Sequence, residues 1–66
     1  MRVTANGKPY DVDQSITVGE FVRKRGLDPQ LIVVEHNGEA LERSRYDRVR
    51  LTEGDRLEVV RAVAGG

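Results

Sequence analysis

The chain has 66 residues, with eleven basic and eleven acidic side chains that cancel to zero net charge, no cysteine and a single histidine. This length predicts one small domain over residues 1–66, and the absence of cysteine excludes disulfides, thiolate metal sites and a cysteine nucleophile. The balanced charge argues against a dedicated nucleic-acid or membrane-surface binder, and no apolar stretch approaches the ~20 residues of a membrane span. Because residues 1–7 lack an apolar signal core, we expect a cytoplasmic protein. The single histidine, His36, is expected on the surface or on an edge strand, and no metal site is expected.

The N-terminal segment predicts a β-hairpin. Residues 1–5 and 8–12 are strand candidates, with Asn6-Gly7 between them. Asn-Gly is a strong signal for a two-residue type I′ turn, because both central residues of that turn need a positive φ. Pro9 has no N–H to donate to a ladder, so we expect it to face outward on an edge strand.

A helix is predicted to begin after Thr17. The segment from Thr17 to Glu20 has the form of a capping box, in which each side chain binds the other residue's backbone N–H. Ile16 before the cap and Phe21 in the helix are placed to form a hydrophobic staple. Gly26 fits the left-handed position that follows a helix C-terminus.

The second half of the chain predicts strands joined by turns. The apolar run 31–34 favours a strand covered on both faces. Asn37-Gly38 and Gly54-Asp55 mark turns, 49–51 is a short strand candidate, and 56–64 predicts a final strand.

These elements predict an α+β fold of the β-grasp type, a mixed sheet of about four to five strands packed on one helix. A right-handed connection through the helix would place the first and last strands side by side and parallel at the sheet centre. In the last strand, Leu57 and Val59 would face the core, whereas Val60 and Ala62 would face the open side of the sheet.

The chain ends in Gly65-Gly66, which we interpret as a reactive C-terminal arm. An α-carboxyl group has a pKa of about 3.3–3.7, so it is a carboxylate at neutral pH. Glycine lets the backbone enter a narrow channel that a Cβ would block. At an average glycine frequency of about 7%, both positions would be glycine by chance roughly 0.5% of the time. A frayed terminus is the alternative interpretation. We expect residues 63–66 to form a flexible tail.

The motifs together resemble those of the ubiquitin-like sulfur carriers, and most closely the ThiS family of thiamin (thiazole) biosynthesis. The resemblance covers the whole chain. It is carried by Asn6-Gly7, Thr17-Val18-x-Glu20, Val34-x-x-Asn37-Gly38-Glu39, Gly54–Val60 and Arg61–Gly66.

The resemblance implies that the chain is a protein co-substrate and not an enzyme. A ThiF-like activating enzyme would adenylate the Gly66 carboxylate with its own ATP and Mg²⁺, and a persulfide-bearing donor would convert the adenylate into a thiocarboxylate. A ThiG-like thiazole synthase would receive that sulfur. Ala64 and Gly65 would thread into the partner, while the carrier itself would bind no cofactor.

The residues before the diglycine are expected to dock the partner enzymes. An exposed Val60 would form an apolar patch, since partner surfaces are apolar at their centres, unless Leu31 or Val33 covers it. Arg61 is placed to pair with an acidic rim, the alternative being a solvated charge. Ala62 and Val63 complete the predicted docking segment.

Other functions remain open from the sequence. The small subunit of molybdopterin synthase and carriers of other sulfur pathways share the fold and the diglycine. A proline-rich approach to the tail, which would favour the molybdopterin branch, is absent here. A ubiquitin-like modifier joined to lysines through Gly66 is a second alternative, and a non-covalent β-grasp binding module is a third.

A local basic cluster surrounds Tyr46 and consists of Arg43, Arg45, Arg48 and Arg50. Residues 43–48 predict an irregular loop or a single helical turn. Because acidic residues lie among and beside these arginines, this arginine-rich segment predicts a solvated, salt-bridged loop in preference to a single-stranded nucleic-acid site.

Overall fold

The computed structural model describes residues 1–62. Its regular elements, in chain order, are β1 (Arg2–Ala5), β2 (Lys8–Asp11), α1 (Val18–Lys24), a 3₁₀ turn (Pro29–Leu31), β3 (Ile32–His36), β4 (Glu39–Leu41), a second 3₁₀ turn (Arg43–Arg45) and β5 (Arg56–Arg61). The strands form one five-stranded sheet in the order β2-β1-β5-β3-β4. The central strands β1 and β5 are parallel and the other neighbours are antiparallel. The predicted β-grasp arrangement is confirmed.

Both hairpins turn at an Asn-Gly pair. Asn6 and Gly7 have φ angles of 51° and 81°, and Asn37 and Gly38 have 52° and 87°, which are the positive values of a type I′ turn. Strand β2 is an edge strand, and the exposed Pro9 lies opposite Thr4 on it. The local turn chemistry therefore sets the register of each hairpin.

Helix α1 begins and ends as its sequence predicts. The Thr17 hydroxyl accepts a hydrogen bond from the Glu20 N–H at 3.1 Å, and the Glu20 carboxylate accepts one from the Thr17 N–H at 2.9 Å. At the other end Gly26 has a φ of 78°, and the Leu27 N–H donates to the Val22 carbonyl at 3.0 Å. This is the 6→1 hydrogen bond of a Schellman motif, which spans more residues than the 5→2 bond of the same motif. Backbone groups at both helix ends therefore have partners.

The core lies between α1 and one face of the sheet. Alternate residues of the strands point toward the helix, which contributes its own apolar stripe. The buried apolar side chains are Val3, Ala5, Ile16, Val18, Phe21, Val22, Ile32, Val34, Leu41, Tyr46, Leu51 and Leu57. Leu57 is 1% exposed on β5, so the strand that leads to the C-terminus is anchored in the centre of this core.

Three predictions about strands are wrong in detail. The run 31–34 is covered on one face only, because α1 packs on one side of the sheet and leaves Leu31 and Val33 on the other. Residues 49–51 form no strand, since only one isolated bridge joins Arg50 to Thr17. The final strand ends at Arg61 and does not include residue 62, while residues 63 and 64 lie outside the described part of the chain.

Candidate functional site

The last residues of the central strand β5 bring the first predicted site residues to the open face and one end of the sheet. Val60 is 56% exposed, Arg61 is exposed and Ala62 is half-buried. The Ala62 N–H donates to the Leu31 carbonyl oxygen at 2.8 Å, which keeps the strand attached to the β3 side up to this residue. The other predicted site residues, Val63, Ala64, Gly65 and Gly66, lie outside the described residues.

Val60 and two other exposed aliphatic side chains form an apolar patch. Val60 lies directly opposite Val33 in the antiparallel pair of β3 and β5. Leu31, Val33 and Val60 are 55%, 47% and 56% exposed, and they are the exposed large apolar residues among residues 1–62. Leu31 and Val33 therefore extend the predicted patch and leave Val60 exposed. Contiguous exposed apolar surface of this kind is typical of an interaction site.

A pair of carboxylates flanks the apolar patch. Glu35 on β3 lies directly opposite Glu58 on β5, and both are exposed on the face that carries Val33 and Val60. Within residues 1–62 neither carboxylate makes an ion pair. Like charges directly opposite each other destabilise a sheet. A partner that brings cationic side chains to this position would relieve that repulsion.

Asp55 organises the turn that precedes β5. Its carboxylate accepts hydrogen bonds from the His36 ring at 2.9 Å, the Asn37 side chain at 3.1 Å, and the Thr52 N–H and hydroxyl at 2.9 Å each. Burial favours the neutral acid and raises the pKa of Asp55, but the hydrogen bonds from His36, Thr52 and Asn37 outweigh burial and lower it to about 2. The carboxylate is therefore a structural anion that connects the β3–β4 turn to the start of β5.

His36 does not lie where the sequence placed it. It belongs to β3, which is an interior strand, and its side chain is 23% exposed. The contact with Asp55 explains this position, since the two residues are 19 positions apart and meet only through the pairing of β3 with β5.

Over residues 1–62, no three His, Cys, Asp or Glu side chains are grouped closely enough to hold a metal ion. In the same part of the chain, the helices are too short or too polar to cross a membrane.

The arginine-rich segment contains the predicted helical turn, Arg43–Arg45, and part of it makes structural contacts. Tyr46 is 2% exposed and its hydroxyl donates to the Ile32 carbonyl at 3.3 Å, so its ring is not available to stack on a base. Arg43 donates to the same carbonyl at 3.0 Å. The predicted salt bridges within the segment are wrong, because Asp47 pairs instead with Arg23 of α1, at 2.8 Å and 3.1 Å.

Comparisons with known proteins agree on one family. Residues 3–66 match the model of the ThiS family. The chain is similar to a thiazole synthase of Paramagnetospirillum magneticum, with 33% identity over 66 residues, and to the sulfur carrier protein ThiS of Bacillus subtilis, with 32% identity over 50 residues. It spans 20% of the length of the first relative and 76% of the second. The crystal structure of a thiamine biosynthesis protein (ThiS) from Geobacter metallireducens aligns over 100% of both chains, with a TM-score of 0.85 and 36% identity.

Proposed function

The chain belongs to the ThiS family, and we propose that it is a sulfur carrier of thiamin biosynthesis whose Gly66 carboxylate is converted into a thiocarboxylate. The observation that carries the proposal is the family match over residues 3–66, which includes the diglycine. The relative from Bacillus subtilis bears the name of a sulfur carrier, which supports the same function. The protein would act as a co-substrate of partner enzymes and not as an enzyme itself.

The proposed chemistry begins with activation of the Gly66 carboxylate, which is a poor electrophile because its leaving group would be oxide. A ThiF-like enzyme would let that carboxylate attack the α-phosphate of ATP, releasing pyrophosphate and forming an acyl-adenylate. A persulfide on a donor protein would attack the carbonyl carbon and release AMP, and a thiol reductant would cleave the resulting acyl disulfide to leave the thiocarboxylate. ATP and Mg²⁺ belong to the partner enzyme, where the metal would neutralise phosphate charge.

The open face of the sheet indicates the kind of partner surface that would dock. Val60, Arg61, Ala62 and Val63 are the proposed docking segment, and Val60 lies within the apolar patch. An apolar centre excludes water, whereas the flanking charges set orientation and the rate of association. Because Glu35 and Glu58 flank this patch, the partner surface would carry arginine or lysine beside an apolar centre. Arg61 would pair with a separate acidic group of the partner.

The relative from Paramagnetospirillum magneticum supports one of the proposed partners. That protein bears the name thiazole synthase, and its similarity to this chain covers 20% of its own length. We propose a ThiG-like thiazole synthase as the recipient of the sulfur, with the ThiF-like activating enzyme and a persulfide donor acting before it. A cytoplasmic location would give the carrier access to these enzymes.

Intact mass spectrometry would test the proposed function directly. The protein is incubated with a ThiF-type activating enzyme, ATP, Mg²⁺ and a sulfide source. A mass gain that matches the exchange of one oxygen for sulfur, localised to Gly66, is the expected result. A variant that lacks Gly65 and Gly66 serves as the control and should keep its mass. An unchanged wild-type mass, under conditions that convert a known ThiS protein, would contradict the proposal.

A further inference from the structure

The turn residue Asn6 makes three hydrogen bonds to β5. Its backbone N–H donates to the Leu57 carbonyl at 2.9 Å. Its side-chain Nδ2 donates to the Val59 carbonyl at 3.0 Å, and its Oδ1 accepts from the Val59 N–H at 2.8 Å. We refer to the two side-chain bonds as the Asn6 clamp.

The Asn6 clamp continues a ladder that the backbone of β1 cannot continue. Strand β1 pairs with β5 through Thr4–Arg56 and Ala5–Leu57, and the chain then reverses at the turn. The next residue of β5 that faces β1, Val59, has no backbone partner on β1. A carboxamide carries the same N–H donor and C=O acceptor as a peptide group. The Asn6 side chain therefore makes the two hydrogen bonds to Val59 that a backbone residue of β1 would otherwise make.

Among residues 1–62, the clamp is the last attachment of β5 on the β1 side. Beyond Val59 the strand is held from the β3 side, by the pairing of Val60 with Val33 and by the bond from the Ala62 N–H to the Leu31 carbonyl. Without the clamp, the end of β5 would be attached along one edge only. A strand held along one edge twists and frays more readily than one held along both.

We propose that Asn6 is a positioning residue for the reactive terminus: its carboxamide fixes the direction in which β5 leaves the sheet toward the C-terminal tail. This inference rests on the proposed function, since only a tail that must enter a partner's active site needs a defined direction. Gly66 is seven positions after Val59, so a rotation of β5 at the clamp would shift the point from which the tail starts. Holding a reacting group near its productive orientation is a large contribution to catalysis, which explains why a surface hydrogen bond would matter here.

Substituting glycine for Asn6 tests the clamp without disturbing the turn. Asn6 has a φ of 51°, a conformation that glycine adopts without strain, so Asn6→Gly keeps the turn and removes the carboxamide. Asn37→Gly is the matched control. Asn37 occupies the same turn position with a φ of 52°, and its Oδ1 accepts from the Arg56 N–H at 2.8 Å, at the end of β5 remote from the tail.

The test compares the wild-type protein, Asn6→Gly and Asn37→Gly in two assays. Amide hydrogen exchange by NMR should show the Val59 N–H exchanging about five- to tenfold faster in Asn6→Gly alone, the effect expected from losing one exposed hydrogen bond. Pyrophosphate exchange with a ThiF-type enzyme and ATP should show a kcat reduced about five- to tenfold in Asn6→Gly, with a nearly unchanged KM because the apolar patch is intact. Asn37→Gly should keep wild-type kinetics.

The outcomes separate the inference from the proposed function. If the wild-type protein supports exchange and Asn6→Gly does so with the same kcat, or if Asn37→Gly loses as much, the positioning role is refuted and the sulfur-carrier function stands. If the wild-type protein supports no exchange with an enzyme that adenylates a known ThiS protein, both the function and the positioning role are refuted. Unchanged Val59 exchange in Asn6→Gly would also refute the clamp.

Discussion

Replacing Asp55 with asparagine should expose how the start of β5 is held in place. The Asp55 carboxylate is 7% exposed and accepts hydrogen bonds from His36, Asn37 and Thr52. Asparagine has the same shape but keeps one acceptor oxygen, and its NH₂ group would face donors. We therefore expect Asp55→Asn to loosen the turn before β5 without changing the tail itself.

The magnitude follows from the pKa of Asp55, which the folded protein lowers from 3.8 to about 2. A tenfold change in proton affinity corresponds to 1.36 kcal/mol, so the charged carboxylate contributes about 2 kcal/mol of stability at pH 7. Because the pKa is lower in the folded state, the unfolded chain binds the proton more tightly. The contribution is therefore complete above about pH 5 and is lost as the pH falls through about 4 toward 2.

Urea denaturation of both proteins between pH 7 and pH 2 would measure this effect. The free energies of unfolding should differ by about 2 kcal/mol at pH 7, and the difference should shrink as the pH approaches 2. Asp13→Asn is the matched control, since the Asp13–Lys24 pair is exposed and should contribute less than about 1 kcal/mol. A difference that is constant with pH, or one no larger than that of the control, would refute the assignment of Asp55 as a buried structural anion.

Three further substitutions test the core, the helix cap and the docking face. Leu57→Ala should cost about 2–5 kcal/mol of unfolding free energy, because Leu57 is 1% exposed in the core, and a loss below about 1 kcal/mol in urea titrations would contradict that burial. Thr17→Ala should cost about 1 kcal/mol through loss of the capping box, and an unchanged urea midpoint would rule out that role. Val60→Asp adds a third carboxylate beside Glu35 and Glu58, so it should lower the thermal midpoint slightly, and it should weaken binding to a ThiF-type enzyme at least about tenfold by calorimetry. Gln14→Asp adds the same charge to an exposed loop residue and should bind normally, so equal affinities of the two variants would argue against the apolar patch.

The features that the sequence predicted correctly depend on neighbouring residues. The Asn6-Gly7 turn needs positive φ at two adjacent positions, and the capping box needs Thr17 and Glu20 three positions apart. Such signals are complete within a few residues, so the hairpin and the start of α1 are where they were expected. The exposure of Val60 was predicted for a similar reason, because alternation along a strand assigns its two faces once the strand is known.

The features that the sequence did not predict depend on contacts between distant residues. Whether the run 31–34 is covered on one face or on both depends on how many layers pack on the sheet. The number of layers cannot be predicted from the residues of one strand. The meeting of His36 with Asp55, and of Glu35 with Glu58, requires the register between β3 and β5. That register is fixed by the assembled core and not by a turn between the two strands. No local sequence motif therefore predicts either pair.

The proposed docking surface lies at the end of β5, and the proposed reactive group follows it in the sequence, which constrains the partner enzymes. Gly66 is four positions after Ala62, and a fully extended chain spans at most about 3.3–3.6 Å per residue. The adenylation site must therefore lie within about 14 Å of the point where the partner covers the end of β5. A partner that binds the apolar patch also fixes the origin of the tail, because Val60 pairs with Val33 of β3 and Ala62 is bonded to Leu31 just before β3. Docking of the sheet on a partner thus restricts the Gly66 carboxylate to the reach of the four residues 63–66, and this restriction would favour a rigid central strand in a carrier.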